Sequence, residues 1–447
     1  MRIVLIQLQK QFSQSSRLRQ FLELRGQHFR EYSMPHLGLL TVAALTPRHH
    51  DVVFLNENIT LVDPAVVEAD VVGISVLTQS AHRAYWLADA LRGRGIHVVL
   101  GGIHPTVLPD EAQVHCDTVV MGEAEQVWPR FLRDLEEGHA LPRYSGLGAK
   151  LDLTESPVPC YELLNETNYQ LLPNRANMFP LQTSRGCPRG CEFCSASVVW
   201  GRTRRVKAVS QVMREVRAVK RLFKCPMICF ADDNLFMDVQ FGKALLKELR
   251  QEQIQWMTQT DLSVADDDEL LELIFRSGCS HLFIGLESVD SGNLLRFAPA
   301  KRRLHSRLEE RIARLHRAGI VVYASMMLGL DNDTPGIFRR TRDFILANHL
   351  VPHFCVLTPL PGTPLFRRLE AEGRLLYPGE WHRCTFFDVT IRPRQMSPAE
   401  LEDQVSWLFE QTWSDEAVRS RYRHFLRINR AALRRYAPGG CSELQRG

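Results

Sequence analysis

Runs rich in valine and isoleucine alternate with helix-like stretches twice along this chain, and the alternation breaks once, between 140 and 178. A buried strand, an amphipathic stretch and another buried strand in succession imply a parallel sheet. A parallel neighbour can be reached only through a crossover long enough to hold a helix. The first block offers RIVLIQL (2–8), DVVFLNENI (51–59), DVVGISVL (70–77), HVVLGGIH (97–104) and CDTVVMGEAE (116–125) as strands. Helices are expected over 37–46 and in AHRAYWLADALRGRG, between the third and fourth of these runs. The expectation is a doubly wound, Rossmann-like α/β domain over residues 1–140. Pro142, Pro157, Pro159 and Pro173 then mark 141–178 as a connecting segment.

The second block offers six strands: FPLQTSRGC (179–187), MICFADD (227–233), IQWMTQT (254–260), HLFIGLES (281–288), VVYASMMLGL (321–330) and HFCVLTPLPG (353–362). Val212, Val216, Val219 and Phe223 share one face of a helix between the first two. Six βα units over 179–378 predict a partial (βα)6 barrel. Residues 379–447 are expected to form a small C-terminal α/β extension. Its helix starts at a capping box, Ser397 with Glu400, and carries an apolar stripe of Leu401, Val405, Leu408 and Phe409.

In both fold types ligands gather beyond the carboxyl ends of the strands. In the first block those ends are SVLTQS, with Ser75 and Thr78; GGIHPT, with Gly101, Gly102 and His104; and GEAE, with Gly122 and Glu123. In the second they are a cysteine cluster, Asp232-Asp233-Asn234, Glu287-Ser288, Gly329, and Pro359 to Gly362.

Composition removes several classes. Hydrophobic residues at 45% and charged residues at 24% describe a globular chain, and a net charge of +4 over 447 residues gives no argument for nucleic acid. The apolar start, MRIVLIQLQK, is too short for a secretory signal and lacks a small-residue cleavage site. The longest apolar runs fall short of a membrane span. A cytoplasmic location is therefore expected, where thiols stay reduced. Eleven cysteines do not make a disulfide framework, but three of them, Cys187, Cys191 and Cys194, lie within eight positions. A tight thiol cluster in a reducing compartment indicates metal binding or catalysis. Structural zinc takes four ligands in two knuckles, and no second pair stands at matching spacing; Cys225 and Cys229 read as buried in or beside an apolar strand. Three thiolates leave one iron of a four-iron cluster without a protein ligand and so open to a small molecule. Gly186 and Gly190 let the loop bend around it.

Cys-x3-Cys-x2-Cys, with Phe193 before the last cysteine and after the first strand of a βα barrel, resembles the radical S-adenosylmethionine superfamily. The resemblance implies that Cys187, Cys191 and Cys194 ligate a [4Fe–4S] cluster and that backbone near Phe193 contacts adenine. It further implies that the open iron chelates S-adenosylmethionine, whose reductive cleavage yields a 5′-deoxyadenosyl radical. Asp232 and Asp233 in FADDNLF stand where that family meets the methionine amino group, in place of its usual Gly-Gly-Glu. Glu287 in GLES stands where ribose or aminoacyl contacts are made. For Asp232 the competing assignment is a helix N-cap.

PHLGLLTVAAL (35–45), GGIHPTVLPDEA (101–112) and GEAE (122–125) are together similar to the cobalamin-binding domain that precedes many such barrels. No G-x-G-x-x-G dinucleotide fingerprint is present, nor is the Asp-x-His-x-x-Gly string that supplies a histidine to cobalt. Base-off cobalamin without a histidine ligand is implied, with His104 orienting its loop or touching the nucleotide tail. The extension EWHRCTFFDVTIRPRQMSPAELEDQ resembles hopanoid C-methylases and anaerobic tetrapyrrole cyclases, and Trp381, Phe386 and Phe387 are candidates to cap an apolar pocket. The implied reaction is methylation of an unactivated carbon on an apolar or polycyclic intermediate, through the deoxyadenosyl radical and methylcobalamin, with electrons from flavodoxin or ferredoxin. Oxidative cyclisation with the same cofactors is the alternative. Methylthio transfer lacks its second cysteine cluster, and a non-catalytic cobalamin or redox sensor would not need the barrel. The arginine-rich run 419–435 is read first as a solvated face and second as a peripheral membrane contact.

Overall fold

The computed structural model describes residues 1–9, 34–148, 151–164 and 178–436. Strands β1 (Arg2–Gln7), β2 (Asp51–Asn56), β3 (Val71–Ser75), β4 (His97–Gly101), β5 (Thr118–Met121) and β6 (Arg143–Ser145) form one parallel sheet in the order β2-β1-β3-β4-β5-β6. Alternate residues feed two cores. Ile3, Leu5, Val71 and Val99 pack under Leu39, Trp128 and Phe131, from the helices Leu37–Leu45 and Trp128–Glu136. Val4, Ile6, Val72 and Ile74 pack under Ala84, Leu87, Ala88 and Leu91 of the helix Ala81–Arg92. Burial on both faces explains the uninterrupted apolar runs. The strand order reverses between β1 and β3, which is where such sheets bind ligands. β6 pairs with β5 and so carries this sheet past residue 140, into the segment expected to be a linker.

β7 (Met178–Leu181), β10 (Met227–Phe230), β11 (Gln255–Thr260), β12 (Cys279–Glu287), β13 (Val321–Leu328) and β14 (Val351–Val356) form the second parallel sheet. Its order, β14-β13-β12-β11-β10-β7, follows the chain, as one-way winding into a partial barrel requires. Val322, Ala324, Met326 and Leu328 of β13 are buried against the helix layer. Tyr323, Ser325 and Met327 alternate with them and stay half-buried on the inner wall. The run expected as one strand over 179–187 divides. β7 stops at Leu181, and Ser184–Arg185 (β8) turns to pair antiparallel with Arg205–Val206 (β9).

The connecting segment is packed rather than loose where it is described. Tyr161 is fully buried and donates its hydroxyl to the Pro180 carbonyl at 2.8 Å. Pro173 lies outside the described residues. The extension carries helices Pro398–Thr412 and Asp415–Tyr436, and its β content among described residues is a single antiparallel bridge, Leu375 to Ile391. Ser397 Oγ accepts the Glu400 N–H at 3.1 Å, as the cap predicts. Leu401, Val405, Leu408 and Phe409 join the barrel core. Of the terminal arginines, Arg421 departs from the solvated expectation: it is buried over Trp413 and donates to the Thr412 carbonyl at 2.6 Å. No described helix is long and apolar enough to cross a membrane.

Candidate functional site

The cysteine loop is cinched at its base. The two-residue ladder of β8 and β9 closes segment 186–204, and Cys187 N–H donates to the Gly201 carbonyl at 3.3 Å. Gly186 and Gly190 take φ of 90° and 64°, the left-handed values their positions demand. Three long-range clamps hold the loop. Arg189 pairs with Asp261 at 2.5 Å, and Asn234 donates to the same Asp261 oxygen at 3.0 Å. Glu192 takes a bidentate pair from Arg368 at 2.6 and 3.0 Å. Its backbone N–H donates to the Phe297 carbonyl at 2.9 Å. Burial raises the Cys187 and Cys194 thiols and pushes Cys191 up to about 12. Each of the three feels neighbouring charges of the site electrostatically. Zinc–sulfur bonds of about 2.3 Å would bring the sulfurs of a single-ion site within about 4 Å of one another. Among the described residues three such donor atoms fall within 4.8 Å of each other at His49, His50 and Glu136, not at these cysteines. Soft donors spread around a pinned loop suit a multi-iron cluster rather than one ion. Cys225, expected to be buried, is exposed in a turn at φ 45°, whereas Cys229 is buried in β10.

The two aspartates expected to act together have separate jobs. Asp232 is fully buried, and its oxygens accept from Thr183 N–H at 3.0 Å, Thr183 Oγ1 at 2.8 Å and Ser184 Oγ at 2.5 Å. It ties the end of β10 to the chain entering the cysteine loop. It caps no helix, and three donors of this chain engage its carboxylate. Asp233 is the one that faces the thiols. Burial, then the charge of Asp232, pushes it up to about 6, and its field reaches Cys187 and Cys194. Glu287 ends β12 at φ 65° and is ion-paired with Lys301. Phe193 packs with Leu294 and Phe297 behind the loop.

The carboxyl ends of both sheets open onto one cavity of about 420 Å³. Ser75, Gly101, Gly102, Gly122 and Glu123 line it from the first domain, and Gln182, Arg185, Trp200 and Ala231 from the barrel. Gly102 has φ 97°, and a Cβ there would strike Ser75 Oγ and the Val76 backbone. Glycine is thus required for the turn after β4 to pack against the end of β3 at the cavity wall. Thr78 is buried in a 3-10 turn and does not line the cavity. His104 is turned away altogether. It is fully buried, with Nε2 3.2 Å from Glu111, which also accepts from Tyr85 at 2.9 Å and from the Trp381 indole at 2.9 Å. Burial lowers its pKa against the opposing pull of Glu111. Trp381 therefore fastens the extension to the first domain instead of capping the pocket. Phe386 is exposed, and Phe387 leans on Phe409. The histidine that does line the cavity is His36, the N-cap of Leu37–Leu45, whose Nε2 lies 3.2 Å from Ser75 Oγ.

Glu123 and Glu125 close the seam between domains. Arg185 reaches Glu123 at 2.7 Å and Glu125 at 2.5 Å; Arg205 also pairs with Glu123. Burial disfavours the Glu125 charge, but the Arg185 pair wins and lowers its pKa. GEAE thus serves as a seam as well as a cavity wall. Sequence reasoning missed Arg185, Arg189, Asp261, His36 and Lys301. The available signal was two arginines inside the cysteine motif itself, SRGCPRGC. Further along the barrel wall, His281, Phe283, Tyr323 and His353 present rings on the inner face, with His281 to Tyr323 at 4.8 Å and Phe283 to His353 at 5.0 Å. Burial lowers His281 to about 4, so this wall is uncharged there.

The pattern of the Radical SAM superfamily matches residues 181–345, and that of the B12 binding domain matches residues 30–132. The chain is 30% identical over 393 residues to bacteriochlorophyllide d C-12(1)-methyltransferase of Chlorobaculum tepidum, covering 87% of this chain and 84% of that one. It is 28% identical over 359 residues to hopanoid C-2 methylase of Rhodopseudomonas palustris, covering 77% and 66% respectively. The fold is shared with the radical S-adenosylmethionine methyltransferase TsrM of Kitasatospora setae, solved with cobalamin and a [4Fe–4S] cluster: TM-score 0.64, 14% identity, 95% of this chain and 90% of that one. This chain is an enzyme of the cobalamin-dependent radical S-adenosylmethionine methyltransferase family, whose cofactors are a [4Fe–4S] cluster, S-adenosylmethionine and cobalamin.

Proposed function

We propose that the chain transfers a methyl group to an unactivated carbon of a large polycyclic substrate, of tetrapyrrole or hopanoid type. The observation that carries this reading is the shared cavity: both strand-end faces open on it, and the cysteine loop follows β8 at its rim. Cys187, Cys191 and Cys194 would hold the cluster, with Asp233 and Glu287 beside them. Gly101, Gly102, Gly122 and Ser75 would take the cobalamin, their small side chains leaving backbone exposed. When bound, the cofactors supply hydrogen-atom removal and a methyl donor. The protein's own task is alignment and exclusion of water. Arg185 and the GEAE carboxylates hold the domains face to face, and Asp232 keeps the loop entrance rigid. The ring-lined barrel wall suits a flat apolar substrate, and the named substrates of similar proteins are of that class: a bacteriochlorophyllide and a hopanoid. One electron per cleavage would come from a low-potential donor of the flavodoxin or ferredoxin type. On the terminal helix, Val418, Tyr422 and Leu426 are exposed at four-residue spacing beside Arg419, Arg423 and Arg427, which supports peripheral contact with an acidic lipid surface.

The test is anaerobic turnover of reconstituted protein with S-adenosylmethionine, cobalamin, a reductant and panels of bacteriochlorophyllide and hopanoid acceptors. The expected product is heavier by one methylene unit and appears with 5′-deoxyadenosine. Product formed without the added methylene would replace methylation by cyclisation. No 5′-deoxyadenosine with any acceptor would sink the enzymatic reading.

A further inference from the structure

Two histidines stand side by side in TPRHHDVVF, and nothing in the pattern gives them a task. The fold places His49 and His50 in the turn between the helix Leu37–Leu45 and β2. This is the amino end of the first sheet. The six residues of β2, at ~3.3 Å each, separate it from the cavity end. The turn is braced: His50 N–H donates to the Pro47 carbonyl at 3.0 Å, and the Trp128 indole donates to Thr46 Oγ1 at 2.9 Å. Trp128 opens the helix Trp128–Glu136, and Glu136 at its far end meets both imidazoles.

Glu136 Oε1 lies 3.1 Å from His49 Nε2 and 3.4 Å from His50 Nε2, and the three donor atoms fall within 4.8 Å of one another. The His50 side chain is fully buried, yet its Nε2 makes no hydrogen bond among the described residues. A hydrogen bond to Glu136 would need the N–H aimed at the oxygen. In a metal site the donors aim instead at a shared centre, and at zinc bond lengths of about 2.05 Å two of them stand about 3.3 Å apart around a tetrahedron. A buried, orphaned imidazole nitrogen beside a carboxylate at that spacing fits the metal arrangement. Burial, then the charges of His49 and the Met1 amino group, lower the His50 pKa against the pull of Glu136, which favours the neutral ring that a metal requires.

We propose that His49, His50 and Glu136 bind one divalent cation of the zinc type, with water completing its shell, and that the ion staples the end of the helix Trp128–Glu136 to the start of β2. Two imidazoles select such a cation over magnesium or calcium, which prefer oxygen donors. The role is structural: the ion would hold the helix whose first residue, Trp128, lines the cavity at the other end. His50 Nδ1 lies 3.3 Å from the Met1 amino nitrogen. With the cation on Nε2 the ring proton stays on Nδ1, the amine accepts it as the free base, and the proton lost from the ammonium goes to solvent. Neither the cysteine loop nor the cobalamin-side cavity enters this site, so it stands apart from the function proposed above.

The experiment is equilibrium dialysis of full-length, cluster-reconstituted protein against zinc sulfate, as wild type, His49→Gln, His50→Gln and Glu136→Gln. Bound zinc per chain, the zinc K-edge absorption and the thermal unfolding midpoint are measured on each. Wild type is expected to hold one zinc per chain in a shell of nitrogen and oxygen, to keep it in millimolar magnesium, and to unfold at a higher temperature once loaded. His49→Gln and His50→Gln should each weaken binding by about 100-fold and lose the thermal gain. The His49 side chain is 64% exposed, so His49→Gln tests the site even if the buried His50→Gln fails to fold. Wild type that binds zinc no tighter than His49→Gln overturns the proposal. Zinc bound only at millimolar concentration, or displaced by magnesium, is adventitious capture and overturns it too. Sulfur in the shell puts the ion on the cysteine loop, with the same consequence. A loaded wild type with an unmoved midpoint overturns the structural role.

Discussion

The two faces that meet at the cavity are built from different material. At its strand ends the first-domain face carries small residues, Gly101, Gly102, Gly122 and Ser75. The barrel face includes Arg185, Val199 and Trp200, and the loop that carries the last two also carries the three thiols and is held by long charged clamps, Arg189 to Asp261 and Glu192 to Arg368. The difference follows from what each must hold. A large rigid ligand arrives with its shape already set and needs space and close backbone approach. A site assembled from flexible side chains has no shape until its loop is pinned, and the ordering entropy must be met by contacts elsewhere. The seam between them, Arg185 with Glu123 and Glu125, is charged and buried, so it fixes orientation where an apolar seam would allow sliding.

The comparison can be broken first at the thiols. Cys191→Ala should lose iron, the cluster absorbance and all 5′-deoxyadenosine formation together while keeping cobalamin; loss of cobalamin as well would show that the faces are not independent. Second is the seam. Arg185→Met leaves the buried Glu125 uncompensated, while Glu123 keeps Arg205, and should cost about 3 kcal/mol in denaturant unfolding. Little change would mean that the apolar contacts of Trp381 and Cys384 with the first domain hold the pieces together. Third, Gly102→Ala should weaken cobalamin binding by about tenfold, ~1.4 kcal/mol, with iron content unchanged. Unaltered binding would remove the Gly102 turn from the cobalamin site.

A smaller effect is expected from pH. The Glu125 pKa is lowered from 4.5 in the folded state, so its pairing contributes stability above that value and loses it as pH falls through the lower, folded-state pKa. Unfolding midpoints measured from pH 6 down to 3 should therefore fall more steeply for wild type than for Glu125→Gln, chiefly below pH 4.5. Smallest of all is His104. His104→Gln should retain cobalamin like wild type, and cob(II)alamin EPR should show no change in nitrogen coupling, because the ring is spent on Glu111. A changed coupling would return His104 to the cavity.

Both parallel sheets and the three-thiol loop were legible in the sequence. Val71, Val72 and Ile74 announce a doubly covered strand by themselves, and Cys187, Cys191 and Cys194 announce their chemistry by spacing. Less legible was what each polar residue at a strand end does. Asp232 and Asp233 are adjacent and alike, yet one is sealed behind Thr183 and Ser184 and the other faces the thiols. His104 and His36 both stand at the start of a helix, and only His36 lines the cavity. Neighbouring residues at a strand end point to opposite sides, and sequence does not say which side is closed.

Taken alone, the sequence determined most of the pattern of secondary structure, the two parallel sheets and the clustering of three cysteines in one loop, because periodicity and motif spacing are local properties of a chain. The tertiary structure decided which charges are buried, which are paired and which face the cavity. Those outcomes depend on partners far away: Arg185 meets Glu123 across 62 residues and Arg368 meets Glu192 across 176. A buried charge is tolerated only where such a partner arrives, and only the folded chain brings it there.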